Sequence, residues 1–175
     1  PADLEDPRWA QQAINYAWIR RIPPTALTQI YLEAAGGKDE LDLMEGLSNR
    51  KYNLNPSLAI EVFQAAWAGD AAAIELIRWA GEELGRLAVA VARQIGMQNE
   101  EVEIIQSGSI FEAGEVITLP MRQMILRHCP KARILRLDGP PVVGAILLGM
   151  EQAGFDGYPV RGLLIETAKR FVEEK

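Results

Sequence analysis

The spacing of apolar residues changes character once along this chain, after Gly96, and that change limits the folds open to it. Before it, apolar residues recur at three- and four-residue steps, the period of helices. After it come two short runs, residues 101–106 (EVEIIQ) and 132–137 (ARILRL), which read as strands. A helical segment follows each. Strand–helix–strand–helix predicts two parallel strands joined by a right-handed crossover. Two parallel strands do not make a stable sheet, and parallel strands are normally covered on both faces within a larger one. No convincing third strand precedes them. Either one of the segments read as helix is a strand, or, as the expectation favours, the remaining strands lie outside these 175 residues or on another chain; the start at PADLEDP, without Met, is read as a start inside a longer reading frame.

The helical part is punctuated clearly. Asp6-Pro7 is a helix start, an N-cap acceptor followed by Pro where its missing N–H costs nothing. Trp9, Ala10, Ala13, Ile14, Ala17 and Trp18 then recur at helical spacing. Pro23-Pro24 ends that helix and opens the next, 25–35, which stops at Gly36-Gly37. Residues 38–49 are polar and are expected at the surface. The turn Asn55-Pro56-Ser57 opens a fourth helix, 58–68. Asp70 caps the longest, 71–96, about 25 residues and nearly 40 Å. Its apolar arc, from Ala73 and Ile77 to Leu87, Val91 and Ile95, is wide enough to predict a mostly buried helix. Trp9, Trp18, Trp67 and Trp79 read as core. A helix over 114–128 separates the two strands; helices to Ala153 and over 160–174 follow the second.

Composition removes several functions. Lys+Arg number 18 against Asp+Glu 24, a net charge of −6 with no basic block, so no nucleic-acid partner is expected. The longest apolar stretch, residues 140–150, is too short to span a bilayer. One Cys and one His exclude an intrachain disulfide and a zinc or iron–sulfur site built by this chain alone. A disulfide-free chain fits the cytoplasm. With a single His, no catalytic Ser/His/Asp or Cys/His set can be assembled. Glu82 and Glu83 are adjacent, point apart and do not form an acid–base dyad.

Three places could carry chemistry. Ser107-Gly108-Ser109 follows the first strand, and open α/β sheets bind ligands beyond the carboxyl ends of their strands. Gly108 there either makes a plain turn or admits a phosphate or ribose against the backbone. A Gly108→Val change is expected to separate these, weakening a nucleotide in one case and stability in the other. Gly81 and Gly85 lie one turn apart on the long helix, and an interior glycine costs about 1 kcal/mol relative to Ala. Something approaches that face closely, either another helix or a flat ligand. Gly139-Pro140-Pro141-Val142-Val143-Gly144-Ala145 is a second strand-to-helix junction, where Gly144 is expected to let the helix sit close to the sheet. Neither a Walker A loop nor a GxGxxG fingerprint occurs.

Taken together, Ala65-Ala66-Trp67-Ala68-Gly69-Asp70, Ala80-Gly81-Glu82-Glu83-Leu84-Gly85-Arg86, Ser107-Gly108-Ser109-Ile110-Phe111 and Pro140-Pro141-Val142-Val143-Gly144-Ala145 resemble, in order and spacing, the C-terminal part of the BadF/BadG/BcrA/BcrD-type ATPases. That family includes N-acetylglucosamine kinase and belongs to the sugar kinase/Hsp70/actin superfamily. The resemblance implies an α/β fold, the C-terminal part of a ribonuclease H-like (actin-like ATPase) lobe spanning 1–175. Its first 96 residues would be mainly helical, and 101–175 would form a β-α-β-α unit. It implies binding of ATP, with Mg²⁺ held mainly by the family's N-terminal part, and an amino sugar as phosphoryl acceptor. The Ser107, Gly108 and Ser109 loop would run past ribose and α-phosphate; Pro56, Ser57, Gly81 and Gly85 would line the adenine side. The family's Asp-Gly-Gly-Thr and Gly-Thr-Gly-Ser phosphate loops and its catalytic Asp do not occur in these 175 residues. Catalytic and metal-binding residues are therefore expected elsewhere, on an N-terminal lobe or companion chain, and a homodimer is possible. Two alternatives stand beside the kinase: an ATPase activating a dehydratase or benzoyl-CoA reductase, and a non-catalytic interaction domain.

Overall fold

The computed structural model describes residues 7–52, 54–55, 57–137 and 139–173, with side chains from 11 to 171 of these. Five helices come first: α1 (Pro7–Trp18), α2 (Ala26–Ala35), α3 (Glu40–Ser48), α4 (Leu58–Trp67) and α5 (Ala71–Gln94). Strand β1 (Glu103–Gln106), a 3-10 turn (Ser109–Ala113), α6 (Glu115–His128), β2 (Arg133–Arg136), α7 (Pro141–Gln152) and α8 (Arg161–Glu173) follow. β1 and β2 pair in parallel, Glu103 opposite Arg133 through Gln106 opposite Arg136. Among the described residues they are a two-stranded sheet. The expected mostly helical chain with a β-α-β-α tail is what forms; its start at Asp6 lies outside the described residues.

The chain divides into two compact units, residues 1–102 with 110–132, and residues 103–109 with 133–175. The change of periodicity at Gly96 is thus not where packing divides the chain, because α6 joins the helices. The reason is steric. A Cβ on Gly81 would stand 2.4 Å from the Ile117 carbonyl oxygen, and one on Gly85 2.7 Å from Met124 Cβ. The two glycines bring α6 against α5 at a distance no side chain allows, and Ile117, Met121 and Ile125 of α6 are buried there.

The core of the first unit is one cluster, with Ile14, Leu27, Leu43, Val62, Ile77 and Ile117 fully or almost fully enclosed. Leu43 and Leu47 belong to α3, which corrects the reading of residues 38–49 as a surface helix. Its polar residues mark only the outer face. The Tyr52 ring lies over Gly46, where a Cβ would come within 2.1 Å of it. Its hydroxyl donates to Asp42 at 2.7 Å, beside Lys51 Nζ at 2.9 Å and the Lys38 backbone N–H at 3.0 Å. Those three donors hold the Asp42 carboxyl well below the usual carboxylate range. Burial pushes the Tyr31 phenol up to about 12.

α5 is less buried than its apolar arc predicted. Ala73, Ile77 and Ala80 are enclosed by the helical core, but Leu87, Val91 and Ile95 on the following turns are exposed. The core of α1–α4 covers only the first half of the helix. Trp67 is 62% exposed and Trp18 50%, so neither is core. Trp79 is partly buried against the cluster, and the Trp9 side chain lies outside the described set. Gly144 has no atom within 4 Å of where its Cβ would be, so it is not a close contact to the sheet.

In the second unit Val143 is the buried large apolar side chain among the described residues. Tyr158 is 82% exposed and Phe171 69%. Leu148, Phe155 and Leu163 are exposed as well.

Candidate functional site

The loop at the carboxyl end of β1 is built by strand pairing. Leu137 N–H donates to Gln106 O at 2.9 Å, continuing the ladder one step past β2. The chain then leaves the sheet through Ser107, and Gly108 takes φ +118°, which L side chains rarely adopt. A Cβ at Gly108 would meet no atom within 4 Å, so the glycine serves the backbone conformation and stands open to approach. Arg136 Nη1 donates to the Gly108 carbonyl oxygen at 2.9 Å. Register makes this contact. Arg136 pairs with Gln106, two residues before Gly108, and its long side chain crosses to the neighbouring strand's exit. Ser107, Gly108 and Ser109 are all exposed.

The remaining predicted site residues are not part of this loop. Gly81 and Gly85 sit in the first unit with their open face filled by α6; their tight neighbour is a helix backbone, not a base. Between the two readings offered by their spacing, the helix holds. Ser57 precedes α4, exposed; its N–H donates to Asn55 Oδ1 at 3.0 Å and its hydroxyl makes no cap. Pro56 lies outside the described residues. The helix beyond the loop opens at its N-cap Gly114, as the sequence predicts, after a 3-10 turn over Ser109–Ala113, and α6 carries Glu115 in its first turn, which opposes an anion there.

Other candidate groups are structurally occupied. Asp70 Oδ1 accepts from Ala73 N–H at 2.9 Å, the cap of α5 foreseen from sequence. Its carboxylate also accepts from Thr25 Oγ1 at 2.9 Å and from Ala26 N–H at 2.7 Å, so one side chain ties the starts of α2 and α5. The sequence contained both helix starts and no sign of their meeting. Glu82 pairs with Arg78 and, at 3.0 Å, with Arg86; Glu83 also pairs with Arg86. His128 Nδ1 is 3.2 Å from Arg93. Cys129 is fully buried. Among the described residues no group of three potential metal ligands occurs, and no helix is long and apolar enough to cross a membrane.

No protein-family model matches this chain, and no curated protein matches it in sequence. Sequence reasoning missed the Arg136 contact and the 3-10 turn over Ser109–Ala113. Aligning EIIQ with RILR end to end would have placed Arg136 beside the exit of β1.

Proposed function

We propose that this chain is the nucleotide-binding C-terminal part of an ATP-dependent kinase of the sugar kinase/Hsp70/actin type, with an amino sugar such as N-acetylglucosamine as phosphoryl acceptor. The observation that carries the reading is the Gly108 loop. It leaves the carboxyl end of a parallel strand, a Cβ at Gly108 would meet no atom within 4 Å, and Arg136 holds its carbonyl. Ser107, Gly108 and Ser109 fit a backbone wall against ribose and α-phosphate. ATP bound there would supply the transferable phosphoryl group. Positioning and neutralising the γ-phosphate with Mg²⁺ would fall to residues that an N-terminal lobe or companion chain supplies. Gly81 and Gly85 are not assigned to the adenine site, since α6 fills their face.

Gly108→Val does not test this, because φ +118° strains any side chain whether or not a nucleotide passes. The discriminating measurement is an ATP titration of the ¹⁵N-labelled chain. The Ser107, Gly108 and Ser109 amides should shift together and saturably, while ATP turnover stays at background. Shifts confined to other residues, or none, would remove the nucleotide from this loop.

One observation favours a second reading, an interaction domain without catalysis: Tyr158, Phe155, Leu163 and Phe171 of the second unit are all exposed. A dehydratase or reductase activator is less well supported. It needs cysteines to hold a cluster between subunits, and Cys129 is enclosed.

A further inference from the structure

A cleft of about 630 Å³ opens between the last turns of α1, the Ile22–Pro24 loop and the start of α5. It lies wholly within the first unit and is independent of the nucleotide reading. Ile22, Pro24, Ala72 and Leu76 give it apolar walls, and its size is that of small-molecule sites. One wall is fixed by the Asp70 carboxylate, whose bonds to Thr25, Ala26 and Ala73 hold the loop against α5.

The carboxylate oxygens at this cleft already have protein donors. Both Asp70 oxygens accept protein donors. Both Glu75 oxygens accept from Arg78, one at 2.9 Å. The Arg21 guanidinium lies 4.4 Å from the Tyr16 ring centroid, on the ring face, and is not part of the lining. What remains is a hydrogen-bonding edge. Gln12 Nε2 donates to the Tyr16 hydroxyl oxygen at 2.8 Å. That leaves the Tyr16 O–H hydrogen to donate and Gln12 Oε1 to accept, side by side on one turn of α1. A ligand that matches them presents an acceptor next to a donor on an uncharged, apolar body. We infer that this cleft binds a small uncharged molecule that presents a carboxamide-like acceptor and donor edge on an apolar body.

The probe is benzamide, with benzoate as its charged analogue of the same shape, each titrated into the full chain and followed by amide shifts of residues 12–22 and 69–76. Benzamide should bind saturably and at least fivefold more tightly than benzoate. Tyr16→Phe and Gln12→Leu should each weaken it at least threefold. Gln12 is exposed, so its variant reads the edge without disturbing the core, even if Tyr16→Phe destabilises the fold. Absence of saturation up to the solubility of benzamide, equal binding of benzoate, or unchanged affinity in Gln12→Leu would each overturn the inference.

Discussion

The two units of this chain are held together by different means. The helical unit encloses more than a dozen apolar side chains in one cluster and fastens its helices with specific devices: glycines under α6, a tyrosine over Gly46, a carboxylate shared by two helix starts. Among its described residues the second unit has the regular hydrogen bonds of two strands and two helices, with Val143 as the buried large apolar side chain. Backbone pairing gives a segment its local shape, but burial supplies most of the stabilisation, at about 25 cal/mol per Å² of apolar surface. Among the described residues the second unit therefore has less enclosed apolar surface to hold its shape than the first.

Truncation is the most forceful way to break this comparison. Ile77→Ala removes a fully enclosed side chain and should cost about 2–5 kcal/mol. Leu163→Ala, on an exposed side chain of α8, should change stability by less than about 0.5 kcal/mol. Urea melts of both variants read the difference, and equal losses would mean that α8 is covered in solution.

Gly81→Ala sharpens the role of the close helix contact. Replacing glycine within a helix normally gains about 1 kcal/mol. Here the new methyl meets a backbone oxygen that cannot move aside, so a net loss of about 1–3 kcal/mol is expected. In a chain of this size each kcal/mol lowers the melting temperature by about 2–4 °C. A higher melting temperature in the variant would show that α6 is not seated on α5.

The smallest effect concerns acid. Asp42 is held in its charged form by Tyr52, Lys38 and Lys51. Its contribution is present above the ordinary carboxylate value, about 4, and fades as pH falls below it towards the lowered folded value. Asp42→Asn should flatten the fall in stability between pH 4 and the acid limit without altering the shape above pH 6. Denaturant midpoints measured across that range check it, and an unchanged acid limb would remove Asp42 from the account.

How much of this was legible depended on whether a signal was local. Helix starts at Pro7, Thr25 and Asp70, the glycine stop at Gly36 and both strands are written in short motifs, and they formed where those motifs stand. Contacts between distant segments left weaker traces. The glycine pair at 81 and 85 announced a close approach but not its partner, because a missing Cβ is equally useful to a helix and to a ligand. The apolar arc of α5 was read as burial, yet a helix can outrun the core that covers it, as Leu87, Val91 and Ile95 do. Residues 38–49 looked polar because charges crowd one side of a helix whose other side holds Leu43 and Leu47. At the candidate loop, Gly108 was found and Arg136 was not, since strand register is a property of the pair rather than of either segment.

The division into units has a consequence for how the chain is made. The polypeptide crosses from one unit to the other after residues 102, 109 and 132. β1 thus emerges during synthesis well before β2; partnered residues Glu103 and Arg133 are 133 − 103 = 30 positions apart. At about 5–20 residues per second, β1 waits roughly 2–6 s for its partner. During that interval α6 is completed and can settle on α5, tethering both ends of the 103–109 segment to a folded body. A strand tethered at both ends explores far less space than a free one, so when β2 arrives its search is short. The same tether leaves β1 presented, unpaired, to any other extended chain nearby, which makes the rate at which residues 133–136 emerge a control on misassembly.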